Sequence, residues 1–378
     1  MRLLEFQAKQ VFTQYGIPIP AGMVIISSRQ ADQIVVPAVL KVQIPVGGRG
    51  KAGGIVVVET SEEAQRAMAE LFHKTIKGYP INSLLVEEKM PIRREFYLSV
   101  MFDKKVNSPI IIASASGGVD IEQVARDHPE LITKSKIDMN IGLQKYTVHA
   151  LAKKLGIQDK YSFSAIVEGL YRILISCDAS LVEINPLVET DHGLVALDAK
   201  IILDDKAEFR HREWFDQIQN EQNELEHTLW TEAEYLAKQY GVTYVSLNGN
   251  IAMIADGAGT GMLTLDLIQD EGGQAANFCE MGGLANAKIT NEAMTVVLAN
   301  PNAKVLLMTL IGGMTRMDEI ADGVAQYVNE NGKTRPMVIR MCGTQEEAGK
   351  ATLRGVGIEV YDDMAKAVQA AVAIARTV

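Results

Sequence analysis

Val182-Glu183-Ile184-Asn185-Pro186-Leu187-Val188 and Leu194-Val195-Ala196-Leu197-Asp198-Ala199-Lys200 read as two extended runs joined by the polar turn Thr190-Asp191-His192-Gly193. Pairing Thr190 with Gly193 puts Asn185 directly opposite Asp198. Glu183 lies two residues along on the same face, because strand side chains alternate. Three oxygen-bearing side chains then share one hairpin. That donor set suits a hard cation such as Mg²⁺, with water and substrate phosphates as further ligands. The same pattern also describes a solvated polar face on an edge hairpin. The apolar flanks Leu181, Ile184, Leu187 and Leu197 predict burial, and a buried acidic cluster needs a cation or a donor.

Upstream of the hairpin, strand and helix patterns mix as in α+β folds. A helix over 1–16 ends at Gly16, and a strand over 22–26 follows Pro18 and Pro20. Further strands are predicted over 38–42, 55–59, 84–87, 94–102 and 108–113, with helices over 61–77, 146–155 and 162–176. From 204 to about 240 charged and amide residues dominate, as in a partly helical connector. Beyond it the rhythm alternates. Strands over 251–255, 274–279, 305–310, 336–340 and 359–361 are separated by helices over 262–270, 290–298, 318–329 and 345–354, and a helix over 364–378 closes the chain. That alternation predicts a parallel sheet wrapped on both faces, with ligands at the carboxyl ends of its strands.

A chain of 378 residues exceeds one ordinary core, so two or three domains are expected. Its net charge of −10 argues against non-specific binding to nucleic acid or membrane surfaces. No apolar run approaches the roughly 20 residues that span a bilayer. The charges within Met1-Arg2-Leu3-Leu4-Glu5-Phe6-Gln7-Ala8-Lys9 suggest an amphipathic helix and not a signal peptide. Cys177, Cys279 and Cys342 are scattered and fit a reduced compartment, the cytoplasm.

Gly47-Gly48-Arg49-Gly50-Lys51-Ala52-Gly53-Gly54 lies between two strand patterns. It is not a Walker loop, since no Ser or Thr follows Lys51 and a strand comes next. Glycines let backbone amides form an anion nest, to which Arg49, Lys51 and Lys41 on the preceding strand add charge. A flexible hairpin with solvated cations is the alternative. Downstream, a strand ends in Glu87 and Glu88, and Glu95 follows as a candidate acceptor for ribose hydroxyls. Gly312–Arg316 connects a strand to a helix, where helix amides and Arg316 suggest an anion site; an ordinary turn with an exposed arginine fits the pattern too.

In the order Lys41, glycine loop, Glu87 to Glu95 and Glu183/Asn185/Asp198, the first half resembles the ATP-grasp architecture. The whole chain resembles the β-subunit family of succinyl-CoA synthetases (succinate–CoA ligases). The motifs that carry this are Leu4-Glu5-Phe6-Gln7-Ala8-Lys9, the glycine loop, Gly117-Gly118-Val119-Asp120-Ile121-Glu122, Glu183-Ile184-Asn185-Pro186-Leu187, Gly272-Gly273-Gln274-Ala275-Ala276-Asn277-Phe278 and Gly312-Gly313-Met314-Thr315-Arg316-Met317-Asp318. The resemblance implies an ATP-grasp nucleotide-binding domain over 1–235, with a smaller subdomain at about 21–100. A doubly wound, flavodoxin-like CoA-ligase domain over 236–378 would then contact an α subunit.

The implied reaction interconverts a carboxylic acid, CoA and ATP with acyl-CoA, ADP and phosphate, succinate being the acid. It runs through a phosphohistidine on the α subunit, which also binds CoA, in an αβ or α2β2 assembly. The six histidines here, His73, His128, His149, His192, His211 and His227, sit in no glycine-rich nucleophile context. Matched positions imply nucleotide contacts from Lys41, Gly48, Arg49, Gly50, Glu87, Met90 and Glu95. They imply Mg²⁺ ligation by Asn185 and Asp198, and a catalytic Glu183 that steadies the phosphohistidine. Pro20 matches adenine-specific members. Gly313, Met314, Thr315 and Arg316 match the loop where phosphohistidine and acid meet.

Asp256 stands where the family resembles itself in having asparagine near the succinate carboxylate. Two carboxylates a few Å apart repel by roughly 4 kcal/mol at an effective dielectric near 20. Pro45-Val46, Met314, Thr315 and Met317 also depart from the family's pattern. A ligase for malate or another di- or tricarboxylic acid therefore stands beside the succinate reading. A non-catalytic nucleotide-sensing or assembly subunit is the alternative of another class.

Overall fold

The computed structural model describes residues 1–212, 214–216, 218 and 230–377. Much of the expected connector, including 219–229 with His227, lies outside them. The chain divides into two compact units, Met1–Leu229 and Trp230–Val378.

In the first unit, helix α1 (Glu5–Gln14) precedes a four-stranded sheet. Its strands are β1 (Gly22–Ile25), β2 (Ala38–Val42), β3 (Ile55–Val58) and β6 (Leu84–Glu88), in the order β1-β6-β2-β3. Helix α2 (Ser61–Phe72) packs Ala64, Met68 and Leu71 on that sheet with Leu40, Val42 and Val86. The predicted helix over 61–77 stops early. Lys77 and Gly78 both take positive φ, which turns the chain into the short hairpin β4 (Thr75–Ile76) and β5 (Tyr79–Pro80).

A six-stranded antiparallel sheet is built on the long strand β10 (Ala179–Thr190). One edge of β10 pairs with β7 (Arg94–Asp103), followed by β8 (Ser108–Ser114) and β9 (Ile132–Lys136). The other edge takes β11 (Gly193–Ala196) and β12 (Lys200–Leu203). Thr190 faces Gly193, Leu187 faces Ala196 and Glu183 faces Lys200, so the register expected from the turn runs the length of the hairpin. It is not one ladder, however, because residues 197–199 belong to neither pairing. Helices α4 (Lys145–Leu155) and α5 (Lys160–Ser176) supply Val148, Leu151, Phe163, Leu170 and Ile173 to a core shared with Phe12, Phe96, Val182 and Ile184. Between β8 and β9 lies α3 (Ile121–Asp127), capped by Asp120. Neither α3 nor β9 was legible in the sequence pattern.

The second unit contains α6 (Glu232–Tyr240), then β13 (Thr243–Ser246), β14 (Ile251–Ala255), α7 (Ala258–Asp270), β15 (Asn277–Glu280) and α8 (Ala287–Leu298). It continues through β16 (Val305–Gly312), α9 (Met317–Asn331), β17 (Met337–Gly343), α10 (Glu346–Gly355), β18 (Val360–Tyr361) and α11 (Met364–Thr377). The sheet order is β13-β15-β14-β16-β17-β18. Its last five positions are parallel, and β13 adds an antiparallel edge that the strict alternation did not predict. Met294, Val297, Ile320, Ala321, Val324 and Leu353 cover one face, and Ile268, Val368, Ala371 and Val372 the other. The parallel strands reverse direction of progression between β14 and β16, which makes that position the topological switch point.

Candidate active site

The first unit holds a cavity of about 600 Å³. Lys41, Gly48, Arg49, Gly50, Glu87, Met90, Glu183, Asn185 and Asp198 all line it, with Pro20 and Lys51. Glu95 does not: its carboxylate lies against Gly118, which does line the cavity, and a Cβ on Gly118 would come within 2.3 Å of Glu95 Oε2.

The glycine loop closes the β2–β3 hairpin on itself. Gly54 N donates to Arg49 O at 2.9 Å and Gly53 N to Gly50 O at 3.0 Å. Gly48 and Gly53 take positive φ, which explains their identity. Arg49 is not a solvated cation. Only 8 % exposed, it donates to Val42 O at 3.2 Å and pairs with Glu5 Oε2 at 2.7 Å and Asp198 Oδ1 at 3.1 Å. Lys51 is the solvated one, 3.6 Å from Asp120.

Lys41 Nζ sits 3.0 Å from Glu5 Oε1 and 2.7 Å from Glu87 Oε2. Burial opposes its charge, but Glu5, Glu87 and Asp198 raise its pKa above the ordinary lysine value. Burial likewise pushes against ionised Glu5, and Lys41, Arg49 and Lys9 outweigh it, holding the carboxyl at about 2. Asp198 goes the other way: burial, then the charge of Glu5, raise it against Arg49 and Lys41. Its side chain nevertheless keeps 36 % of its surface, so one oxygen remains within reach of a ligand.

Asn185 is fixed by the loop of the Gly117–Glu122 motif. Its Oδ1 accepts from Gly118 N at 2.8 Å and its Nδ2 donates to Val119 O at 2.9 Å. Glu183 accepts from Tyr97 Oη at 2.9 Å and from Lys200 Nζ at 3.4 Å. Burial, then the charge of Glu183, push the Tyr97 phenol up, so it stays a donor. Among the described residues no three His, Cys, Asp or Glu side chains form a metal cluster by themselves. Asn185 and Asp198 still offer hard oxygen donors, the amide oxygen keeping a second lone pair, and two protein ligands suffice where phosphates and water complete the shell.

Sequence reasoning missed Glu5 and Lys9, which are 3 % and 2 % exposed. A signal existed. They are spaced i, i+4, and Lys9 precedes the buried Phe12 by three residues, so the charges fall on the apolar side of α1.

In the second unit Asp256 stands at the switch point, directly after β14. Its Oδ2 accepts from Ile311 N near the end of β16 at 2.7 Å. Its Oδ1 is buried and has no hydrogen-bond partner. The loop after β16 approaches the 282–286 segment, with Thr315 Oγ1 donating to Gly283 O at 3.3 Å. Gly313 O accepts from Thr344 Oγ1 at 2.8 Å, and Met314 is 83 % exposed. Arg316 turns back on its own helix, 2.6 Å from Asp318 and 3.5 Å from Glu319, and Met317 N already donates to Thr344 O. An anion arriving here must therefore compete with Asp318 for Arg316.

The chain matches the ATP-grasp domain family over residues 2–189 and the CoA-ligase family over residues 254–374. It is 40 % identical over 382 residues to the β subunit of the ADP-forming succinate–CoA ligase of Ignicoccus hospitalis, covering 100 % of both chains. The corresponding subunit of Aquifex aeolicus is 39 % identical over 389 residues, covering 99 % of both. Among solved structures, the ATP citrate lyase of Methanothrix soehngenii in complex with citrate and coenzyme A shares the fold, with TM-score 0.73 at 22 % identity over 98 % of both chains. No helix among the described residues is long and apolar enough to cross a membrane.

Proposed function

This chain belongs to the β-subunit family of ADP-forming succinate–CoA ligases, and on that premise we propose that it is the nucleotide-binding subunit of such an enzyme. The reaction is succinate, CoA and ATP to succinyl-CoA, ADP and phosphate, run reversibly with an α subunit that supplies a phosphohistidine. One observation carries the reading: Lys41, Arg49, Asn185 and Asp198 line a single cavity with the glycine loop. Phosphoryl transfer asks mainly for charge neutralisation and positioning, and these residues supply both.

Arg49 and Lys41 exchange their carboxylate partners for phosphate oxygens as the nucleotide enters. Gly48 and Gly50 let the backbone follow the phosphates closely. Asn185 and Asp198 would hold Mg²⁺, which supplies neutralisation of phosphate charge. Glu183, steadied by Tyr97 and Lys200, orients the partner's histidine. In the second unit, the 312–316 loop and Asp256 receive the acid. The exposed Met314 and Leu284, on segments that meet through Thr315 and Gly283, offer an apolar rim for the α subunit.

The test is co-expression with a candidate α subunit, followed by transfer of label from [γ-³²P]ATP. Acid-labile, base-stable label on a partner histidine is expected, dependent on Mg²⁺ and absent with Asp198→Asn. Absence of histidine label in the wild-type pair would end the reading.

A second reading concerns the acid alone. The unpartnered Asp256 Oδ1 is an acceptor waiting for a donor, which favours an acid whose recognised end carries a hydroxyl, such as malate.

A further inference from the structure

The first unit buries more charge than nucleotide binding uses. Lys9 Nζ reaches Glu5 Oε1 at 3.2 Å, Glu87 Oε1, and the Leu197 carbonyl oxygen at 2.8 Å. Lys41 meets the same three groups: Glu5 Oε1 at 3.0 Å, Glu87 Oε2 at 2.7 Å, and Leu197 O. Two ammoniums and two carboxylates thus alternate in a closed ring, and one carbonyl bridges the ammoniums. That carbonyl belongs to the residue before Asp198, in the 197–199 segment that neither ladder holds. The Leu197 amide donates to Pro186 O at 3.1 Å and Arg49 holds the Asp198 side chain, so the two lysines are what fix the Leu197 carbonyl itself.

We propose that Lys9 is a positioning residue of the nucleotide site, fixing Glu87 and hence Lys41, and fixing the Asp198 segment through the Leu197 carbonyl. This rests on the nucleotide reading above. A buried ion pair is by itself weak evidence for a role, since an apolar replacement is often as stable. The geometry points to the site because both consequences of losing Lys9 fall on it. Glu5 would keep Arg49, but Glu87 would be left to Lys41 alone and would draw it away from phosphates. The Leu197 carbonyl would lose one of its two donors, freeing the backbone next to Asp198. The titration behaviour agrees with this division of labour. Burial and the charge of Lys41 lower the pKa of Lys9, whereas that of Lys41 is raised.

Binding of MgADP to the full-length chain is measured by calorimetry for wild type, Lys9→Met, Lys9→Met/Glu5→Gln and Lys41→Met, with thermal melts of each. Lys9→Met is expected to weaken MgADP by about tenfold or more at temperatures where it is folded, as loss of a supporting contact behind a ligand does elsewhere. The double variant, which restores charge parity, should recover melting temperature and still bind weakly. Wild-type affinity in folded Lys9→Met, with only a lower melting temperature, would make Lys9 structural and overturn the proposal. Failure of both Lys9 variants to fold would overturn it in the same way. A wild type that does not bind MgADP would instead remove the nucleotide reading on which the proposal stands.

Discussion

The cavity of the first unit and the crevice of the second treat buried charge in opposite ways. At the cavity, Lys41 and Arg49 on its wall and the buried Lys9, which does not line it, are matched by Glu5, Glu87 and Asp198, three cations against three carboxylates. At the switch point of the second unit, Asp256 keeps one buried oxygen without a donor. Each of these carboxylates has an ion partner without ligand, although Glu5 Oε2 and Glu87 Oε2 meet theirs outside hydrogen-bond geometry, so a ligand there exchanges partners. The crevice is incomplete, and an unsatisfied buried acceptor costs about 1–3 kcal/mol until a donor arrives. On the proposed function, affinity in the first site would be set by competition, and selectivity in the second by complementarity.

The largest effect expected from this contrast is that of Lys41→Met. It removes the cation shared by Glu5 and Glu87 and leaves excess negative charge in the interior. Breaking a buried pair from one side costs about 3–5 kcal/mol, so a clear loss of urea stability and of MgADP binding is expected. A Lys41→Met chain as stable as wild type would break the comparison, because mutual neutralisation would not be what makes the cavity self-sufficient.

Acid titration sharpens it. Glu5 ordinarily titrates at 4.5 and is held at about 2 in the folded chain. A depressed carboxyl contributes stability that is full above the unfolded value and is lost as pH falls through the folded one. Its contribution should therefore fade between about pH 4.5 and 2. Asp198, raised in the fold, acts with the opposite sign and softens the slope. Burial and the charge of Lys41 lower the pKa of Lys9 in the fold. Urea melts against pH should show a shallower acid slope in Glu5→Gln than in wild type. An identical slope would mean that the cavity's charges do not govern acid stability.

The two regions also differ in how much the sequence disclosed. The β10–β11 hairpin was legible because a period of two and a four-residue polar turn fix the register together. The glycine loop was legible through residue type alone. Lys9 and Glu5 were missed because on paper they interrupt an amphipathic helix, although their i, i+4 spacing puts them on its apolar side, where they meet Glu87 of β6 and Lys41 of β2. Helix α3 was missed because it buries none of its residues and so has no apolar period to read. Strand β13 was missed because it is short and mostly exposed. In the second unit, alternation disclosed a parallel sheet with ligand sites at the carboxyl ends of its strands, and the strand order then placed Asp256 at the switch point. Alternation could not disclose that one carboxylate oxygen would be spent on Ile311 N, since that bond joins strands 55 residues apart in sequence.

The smallest and most selective effect is expected from Asp256→Asn. Asparagine has the same shape, and its oxygen can keep the bond to Ile311 N. Its amide would then place a donor where Asp256 has an unpartnered acceptor. The crevice would change from one that accepts a hydrogen bond to one that offers it. A carboxylate end gains by that change and a hydroxyl end loses. With the assembled enzyme, the ratio of kcat/KM for succinate to that for malate should rise about tenfold, the worth of one hydrogen bond. Stability should change little, because the buried orphan is replaced by a group with its own unmet hydrogens. An unchanged ratio would assign Asp256 to holding the end of β16 and nothing more, and the crevice would then be as self-contained as the cavity.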